Sequence, residues 1–204
     1  MIITIEGIDG SGKTTQAKEL VQRLRRMGYR VKYIQPVFIF SKILNIMAIS
    51  PRKTRASELK GLKGKRKPFF IRKFIMGLFG YPYAMASYIL IKFYLIFNKI
   101  IVCDRWFYQF LFDAYGDQSE DIIKIFPKSD ITFFLDGSLD LFYSRMSNKY
   151  DVSVSREYYA HVLNLYRKLS KRYGFIQIDA GLDRDKINDI LFNNILNLAE
   201  GFDV

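Results

Sequence analysis

At 204 residues, half of them apolar and a quarter charged, the chain has the composition of one globular domain and enough mass to bury a sizeable core. Its single cysteine, Cys103, excludes an internal disulfide framework, and no stretch shows the basic start, apolar run and small-residue cleavage site of a secretory leader, so the cytoplasm is the expected compartment. The net charge of +12 is concentrated in residues 52 to 73, where ten basic side chains stand against one acid, Glu58; a local excess of that size calls for an anionic partner, whether phosphate-rich substrate, nucleic acid or membrane surface.

The first element is a strand, Ile2 to Ile5, and close behind it stands the string Gly7-Ile8-Asp9-Gly10-Ser11-Gly12-Lys13-Thr14. This fits G-x-x-x-x-G-K-[ST] at a strand-to-helix junction, where glycines let the backbone wrap a phosphate and the helix N-terminus directs its partial positive charge at the same group. Lys13 is expected to reach the β- and γ-phosphates and the Thr14 hydroxyl to ligate magnesium, so ATP and Mg2+ are the expected cofactors. The helix behind the loop spans residues 15 to 27, with Ala17, Leu20, Val21, Leu24 and Met27 on one face and Gly28 as its C-terminal cap.

Val31 to Ile34 reads as the second strand, followed by a basic Lys, Gly and Arg-rich loop at 52 to 68. Residues 74 to 91 carry no charge over 18 positions, about the length at which a membrane span has to be weighed. Pro82 with Gly77 and Gly80 predicts a broken or bent helix there. A buried helix is the preferred reading over a span, and a membrane-surface contact stands between the two.

Further strands are predicted at Ile100 to Cys103, Ile131 to Leu135 and Phe175 to Ile178. The runs are mainly apolar and do not alternate, the pattern of strands buried on both faces of a parallel sheet, and the helical segments between them supply the crossovers. The expected fold is therefore α/β in three layers, a five-stranded parallel sheet with helices on both faces, and residues 1–204 form a single domain. Asp104, directly after the third strand, stands where the carboxyl edge of such a sheet opens on its ligand, and Arg105 adjoins it. A metal-directed acid and a phosphate-directed base thus leave the sheet together, although an Asp there can also cap a helix. The lone His161 reads as a packing or surface residue, Cys103 as an inert core residue, and Asp136 as a helix or turn cap. No Cys and His spacing suggests zinc.

The stretch IEGIDGSGKTTQAKEL, with IIVCDRW, FFLDGSLDLFYSRM and the closing FIQIDA, resembles the thymidylate kinase family of nucleoside monophosphate kinases, in order and spacing, over most of the chain. The resemblance implies a P-loop NTPase fold with a short lid and transfer of the ATP γ-phosphoryl group to a nucleoside monophosphate, dTMP first among the acceptors. It assigns Gly7, Asp9, Gly10, Ser11, Gly12, Lys13, Thr14 and Thr15 to nucleotide binding, with Asp9 also contacting the acceptor sugar. Thr14 and Asp104 would hold the metal, and Arg105 would bridge donor and acceptor phosphates. Since Gly10 stands where some members carry a loop arginine, the lid at 144–157 must supply that charge. Arg145 would pack on the adenine, and Lys149 or Arg156 would approach the transferring phosphoryl group. A homodimer through helices is a further property the resemblance implies.

Two departures both concern the acceptor. After the second strand, QPVFIF keeps Pro36 but offers apolar residues where an acceptor-phosphate arginine is usual, and GYPYAMASY has tyrosines where a base-packing arginine is usual. Arg66 or Arg72 of the basic stretch is expected to replace the missing cation, while Phe38 or Phe40, with Phe107, Tyr108 or Tyr83, faces the base. Two alternatives stay open: a P-loop kinase with another acceptor, and a nucleotide-binding module that contacts an anionic polymer or membrane. Nucleic acid is disfavoured, because residues 52 to 73 hold aromatics only as the pair Phe69-Phe70.

Overall fold

The computed structural model of this chain describes residues 1–39, 68–146 and 154–200, with side chains described at all of these except 68–77, 117 and 199–200. Its centre is a five-stranded sheet of β1 (Ile2–Glu6), β2 (Val31–Ile34), β3 (Ile100–Asp104), β4 (Ile131–Asp136) and β5 (Ile176–Asp179). The strand order is β2-β3-β1-β4-β5 and every pairing is parallel. β1 and β3 are buried along their whole length, as continuously apolar runs require when both faces are covered.

Two groups of helices cover those faces. α1 (Lys13–Arg26) packs against α7 (Arg184–Glu200), where Gln16 donates to the Arg184 carbonyl at 2.8 Å and Asn188 donates to Gln16 Oε1 at 3.0 Å. The other group contains α2 (Pro68–Phe97), α3 (Tyr108–Tyr115), α4 (Ser119–Ile125), α5 (Leu139–Arg145) and α6 (Arg156–Tyr173). Ser138 and Ser155 cap α5 and α6, their hydroxyls accepting the Leu141 and Tyr158 N–H groups. α1 starts two residues earlier than its apolar face suggests, and Gly28 follows its end at φ +87° with its N–H on the Arg25 carbonyl, the conformation a terminating glycine adopts.

The uncharged stretch is where the fold departs most from expectation. α2 continues past Pro82 as one 30-residue helix, about 45 Å long at the standard rise, and is not broken. Beside the proline, which supplies no N–H, the Tyr115 hydroxyl accepts the Tyr81 N–H at 2.7 Å. Nor is α2 a buried helix throughout. Gly80, Ala84, Ser87 and Ile91 face the core at helical spacing, whereas Leu78, Phe79, Ile89, Phe93, Ile96 and Phe97 lie on the exposed side. Among the described residues no helix is long and apolar enough to cross a membrane. The basic loop, Phe40 and Arg66 lie outside the described residues.

Candidate active site

Parallel register brings the carboxyl ends of β1 and β3 level, with Ile5 opposite Asp104. Two loops leave the sheet side by side there: Gly7–Gly12 toward α1, and Arg105 toward α3. Gly10 and Gly12 both have φ in the left-handed region, at +81° and +88°. A Cβ on Gly10 would overlap the Phe142 carbonyl of α5, so this position can carry no arginine while α5 stays in place. The Phe142 carbonyl thus closes the one loop position at which the resemblance allows an arginine.

Asp104 collects hydroxyls and an amide on one oxygen. Its Oδ2 accepts from Thr14 at 2.7 Å, from Tyr33 at 2.8 Å and from Gln35 at 3.0 Å. Its Oδ1 is buried and has no partner among the described residues. Burial works to raise the Asp104 pKa, but Lys13, the hydrogen bonds of Thr14 and Gln35, and Arg105 outweigh it and hold the carboxyl below its ordinary value. An ionised carboxylate with one oxygen unsatisfied, bonded to a threonine at the start of α1, is a donor set that fits Mg2+, which needs one or two carboxylates and takes its other ligands from phosphates and water. Among the described residues no group of three His, Cys, Asp or Glu side chains is placed to hold a metal ion by itself.

Asp9 is the second node. Arg105 and Lys13 both bind its Oδ1, Lys13 at 3.4 Å, and the Tyr159 hydroxyl of α6 donates to Oδ2 at 3.0 Å. Lys13 also donates to the Ile8 carbonyl at 3.1 Å. Desolvation, with Arg105 next in weight, lowers the Lys13 pKa to about 8. The Arg105 guanidinium, though burial opposes its charge, is held firmly ionised by Asp9. Arg105 has φ +69°, the only positive value among the described non-glycine residues.

Beneath both loops lies Glu6, the last residue of β1 and fully buried. Its Oε1 accepts the Trp106 N–H at 2.5 Å. Desolvation raises the Glu6 pKa to about 7. Tyr33, Gln35, Tyr159 and Glu6 carry no motif of their own, and sequence reasoning missed them. For Glu6 a signal exists, because a lone acid closes an otherwise apolar central strand, IITIE.

Of the residues read from sequence, Asp9, Lys13, Thr14, Asp104 and Arg105 converge, and Thr15 sits exposed on the first turn of α1. Ser11 is buried, its hydroxyl without a partner among the described residues. Arg145 instead donates to the Ala180 carbonyl after β5 at 2.7 Å. Arg156 pairs with exposed Asp140 at 2.5 Å, beside the Tyr143 ring and not with Asp9 or Asp104. Of the lid, residues 147–153 and with them Lys149 lie outside the described residues.

On the acceptor side two readings need correction. Phe107 and Tyr108 do not face an open base pocket: Phe107 packs on Trp106 and Phe126, and Tyr108 on Phe175, all within the core. Both are apolar enough that burial under β3 wins over exposure at a site. Tyr83 is half-buried, donates to the Val37 carbonyl at 2.6 Å and contacts Phe110, while Phe38 is exposed nearby in the turn Pro36–Phe38. Arg72 falls within α2. Asp136 accepts the Gly137 N–H as a turn cap and also binds Arg167 and Gln177. His161 is exposed on α6, and Cys103 is buried with its thiol pushed up by desolvation.

The all-parallel sheet, with a G-x-x-x-x-G-K-[ST] loop after its central strand and an Asp at the end of the neighbouring one, defines a P-loop NTPase fold. Residues 5–37 match the family model for thymidylate kinase. Over longer spans the chain is 26% identical to the thymidylate kinase of Ehrlichia ruminantium (strain Gardel), covering 96% of this chain and 97% of that protein. It is 27% identical to a probable thymidylate kinase of Sulfurisphaera tokodaii, covering 87% and 86% respectively. With a probable thymidylate kinase of Methanosphaera stadtmanae the identity is 28%, covering 96% and 97%. The likeness to thymidylate kinases thus extends beyond the phosphate loop to most of the chain, as the motifs suggest.

Proposed function

We propose that the chain is a nucleoside monophosphate kinase that transfers the γ-phosphoryl group of Mg-ATP to dTMP. The observation that carries this reading is the meeting of two loops on one sheet edge: Thr14 with Asp104, and Lys13 with Arg105 around Asp9. In the proposed reaction the loop and Lys13 would hold the donor phosphates, and Thr14 with Asp104 would hold the magnesium, which would supply charge neutralisation when bound. Arg105 moves from Asp9 onto the phosphates, and the acceptor phosphate oxygen attacks in line. That oxygen is already a nucleophile, so no general base is required. Arg145 and Arg156 bracket the proposed lid, where Arg145 would pack on the adenine and Arg156 would bring charge to the phosphoryl group on closure.

Coupled ADP release with Mg-ATP against dTMP, dUMP, UMP, CMP, AMP and GMP tests the reading, with Lys13→Ala as the blank. Acceleration by dTMP above the others, lost in the blank, is the expected result; no acceleration by any monophosphate would sink it. The turn after β2 favours a second reading, a P-loop kinase with a different acceptor, since Pro36 to Ile39 holds no cation. A preference for another monophosphate in the same panel would select it.

A further inference from the structure

We propose that Glu6 is a positioning residue for Arg105, setting the backbone conformation that turns its guanidinium onto the phosphate loop. Three contacts converge on the exit of β3. The Arg105 N–H donates to the Ile5 carbonyl at 3.1 Å, which extends the β1–β3 ladder by one step. The next N–H, that of Trp106, donates to Glu6 Oε1 at 2.5 Å instead of to a strand. The Trp106 indole then donates to the Pro127 carbonyl at 2.8 Å, and its ring is fully buried.

Arg105, held between two anchored amides, occupies the left-handed region that non-glycine residues avoid, and it persists there because its surroundings determine it. The consequence is that β1 controls both halves of the site. Its chain continues into the loop that carries Asp9 and Lys13, and its last side chain fixes the turn that carries Arg105. A buried Trp106 N–H left without Glu6 would be an orphaned donor, which the turn could relieve only by rotating and carrying Arg105 with it.

The role assigned to Arg105 in turnover rests on the kinase reading, so the test has one readout that does not. Crystal structures of Glu6→Met, which removes the acceptor while conserving volume, and of Glu6→Gln, which keeps a carbonyl acceptor, report the Arg105 conformation directly. Arg105 is expected to leave the left-handed region and part from Asp9 in Glu6→Met, and to keep both features in Glu6→Gln. In turnover, Glu6→Met is expected to lose about tenfold or more in kcat with the KM for ATP within about twofold, while Glu6→Gln stays within about twofold of wild type. In an Arg105→Ala background, Glu6→Met should cost less than about twofold more, because the residue it positions is gone. An unchanged Arg105 backbone in Glu6→Met overturns the proposal, as does a kcat loss that persists undiminished without Arg105. Were no monophosphate to be phosphorylated by the wild type, the kinase reading would fall and the crystallographic readout would still decide the case for Glu6.

Discussion

Thr14 of α1 and Asp104 of β3, 90 residues apart in sequence, share a hydrogen bond of 2.7 Å across the carboxyl edge of the sheet. The bond falls on one Asp104 oxygen, while the other is buried with no partner among the described residues, an arrangement costly in itself and relieved by a cation or its water. Asp104→Asn keeps the shape and removes the charge. Its expected effect is a loss of about a hundredfold in kcat with a raised magnesium requirement, because charge stabilisation at the transferring phosphoryl is reduced. A magnesium titration of ADP release at saturating ATP checks this, and an unchanged magnesium dependence would remove Asp104 from the metal site.

Lys13, with its pKa lowered to about 8, gives nucleotide binding a pH dependence of defined sign. Below pH 8 the ammonium is charged and attracts phosphate; above it the free protein increasingly presents a neutral amine. Affinity for a non-hydrolysable ATP analogue should therefore fall as pH rises from 7 to 9, by up to about tenfold per unit beyond the midpoint. Calorimetric titrations in buffers of different ionisation enthalpy should show proton uptake on binding near pH 8. Flat affinity across that range would show that Lys13 remains charged in the free protein.

Five strands, their parallel direction and the meeting of Lys13, Thr14, Asp104 and Arg105 at one sheet edge were legible in the sequence because each rests on local information. An apolar run of four to six residues marks a strand, and a loop motif carries its own geometry. The acceptor side was not legible for the opposite reason. Phe107 and Tyr108 follow Arg105 and look like site residues, but only the packing of Trp106, Phe126 and Phe175 shows that they serve the core. Tyr159 reaches Asp9 from 150 residues away, and Tyr33 and Gln35 reach Asp104 across the sheet. Such long-range partners have no period or spacing to announce them. Composition likewise conceals which face of α2 is covered, since the helix is apolar nearly all round.

Glu6 makes stability depend on pH in a direction opposite to that of a paired surface acid. Its carboxyl titrates near 4.5 in the unfolded chain and about 7 in the folded one, so between those values the folded state holds the extra proton. The stabilisation is fully present below pH 4.5 and is lost as pH rises through 7. Glu6→Gln is neutral at every pH and escapes that loss. Its stability relative to wild type should rise between pH 5 and pH 8, by up to about 3 kcal/mol if the whole shift is realised. Urea unfolding of both proteins at the two pH values provides the comparison, and a pH-independent difference would refute a raised Glu6 pKa.

The exposed side of α2 is the remaining surface whose chemistry asks for a partner. Ile89 and Ile96 are 62% and 70% exposed, and with Phe93 and Phe97 they continue the line begun by Leu78 and Phe79 along the same helix. A contiguous apolar strip on a globular domain is a candidate interface, and we propose that a second copy of the chain covers it with the same strip in antiparallel contact. Sedimentation equilibrium at micromolar concentration should then give twice the 24.0 kDa chain mass. Ile89→Glu with Ile96→Glu should return the chain to 24.0 kDa with its fold intact, since neither side chain is in the core. A wild-type protein that sediments at the mass of one chain would exclude the dimer, and pelleting of that monomer with anionic vesicles, abolished by the same two substitutions, would assign the strip to lipid instead.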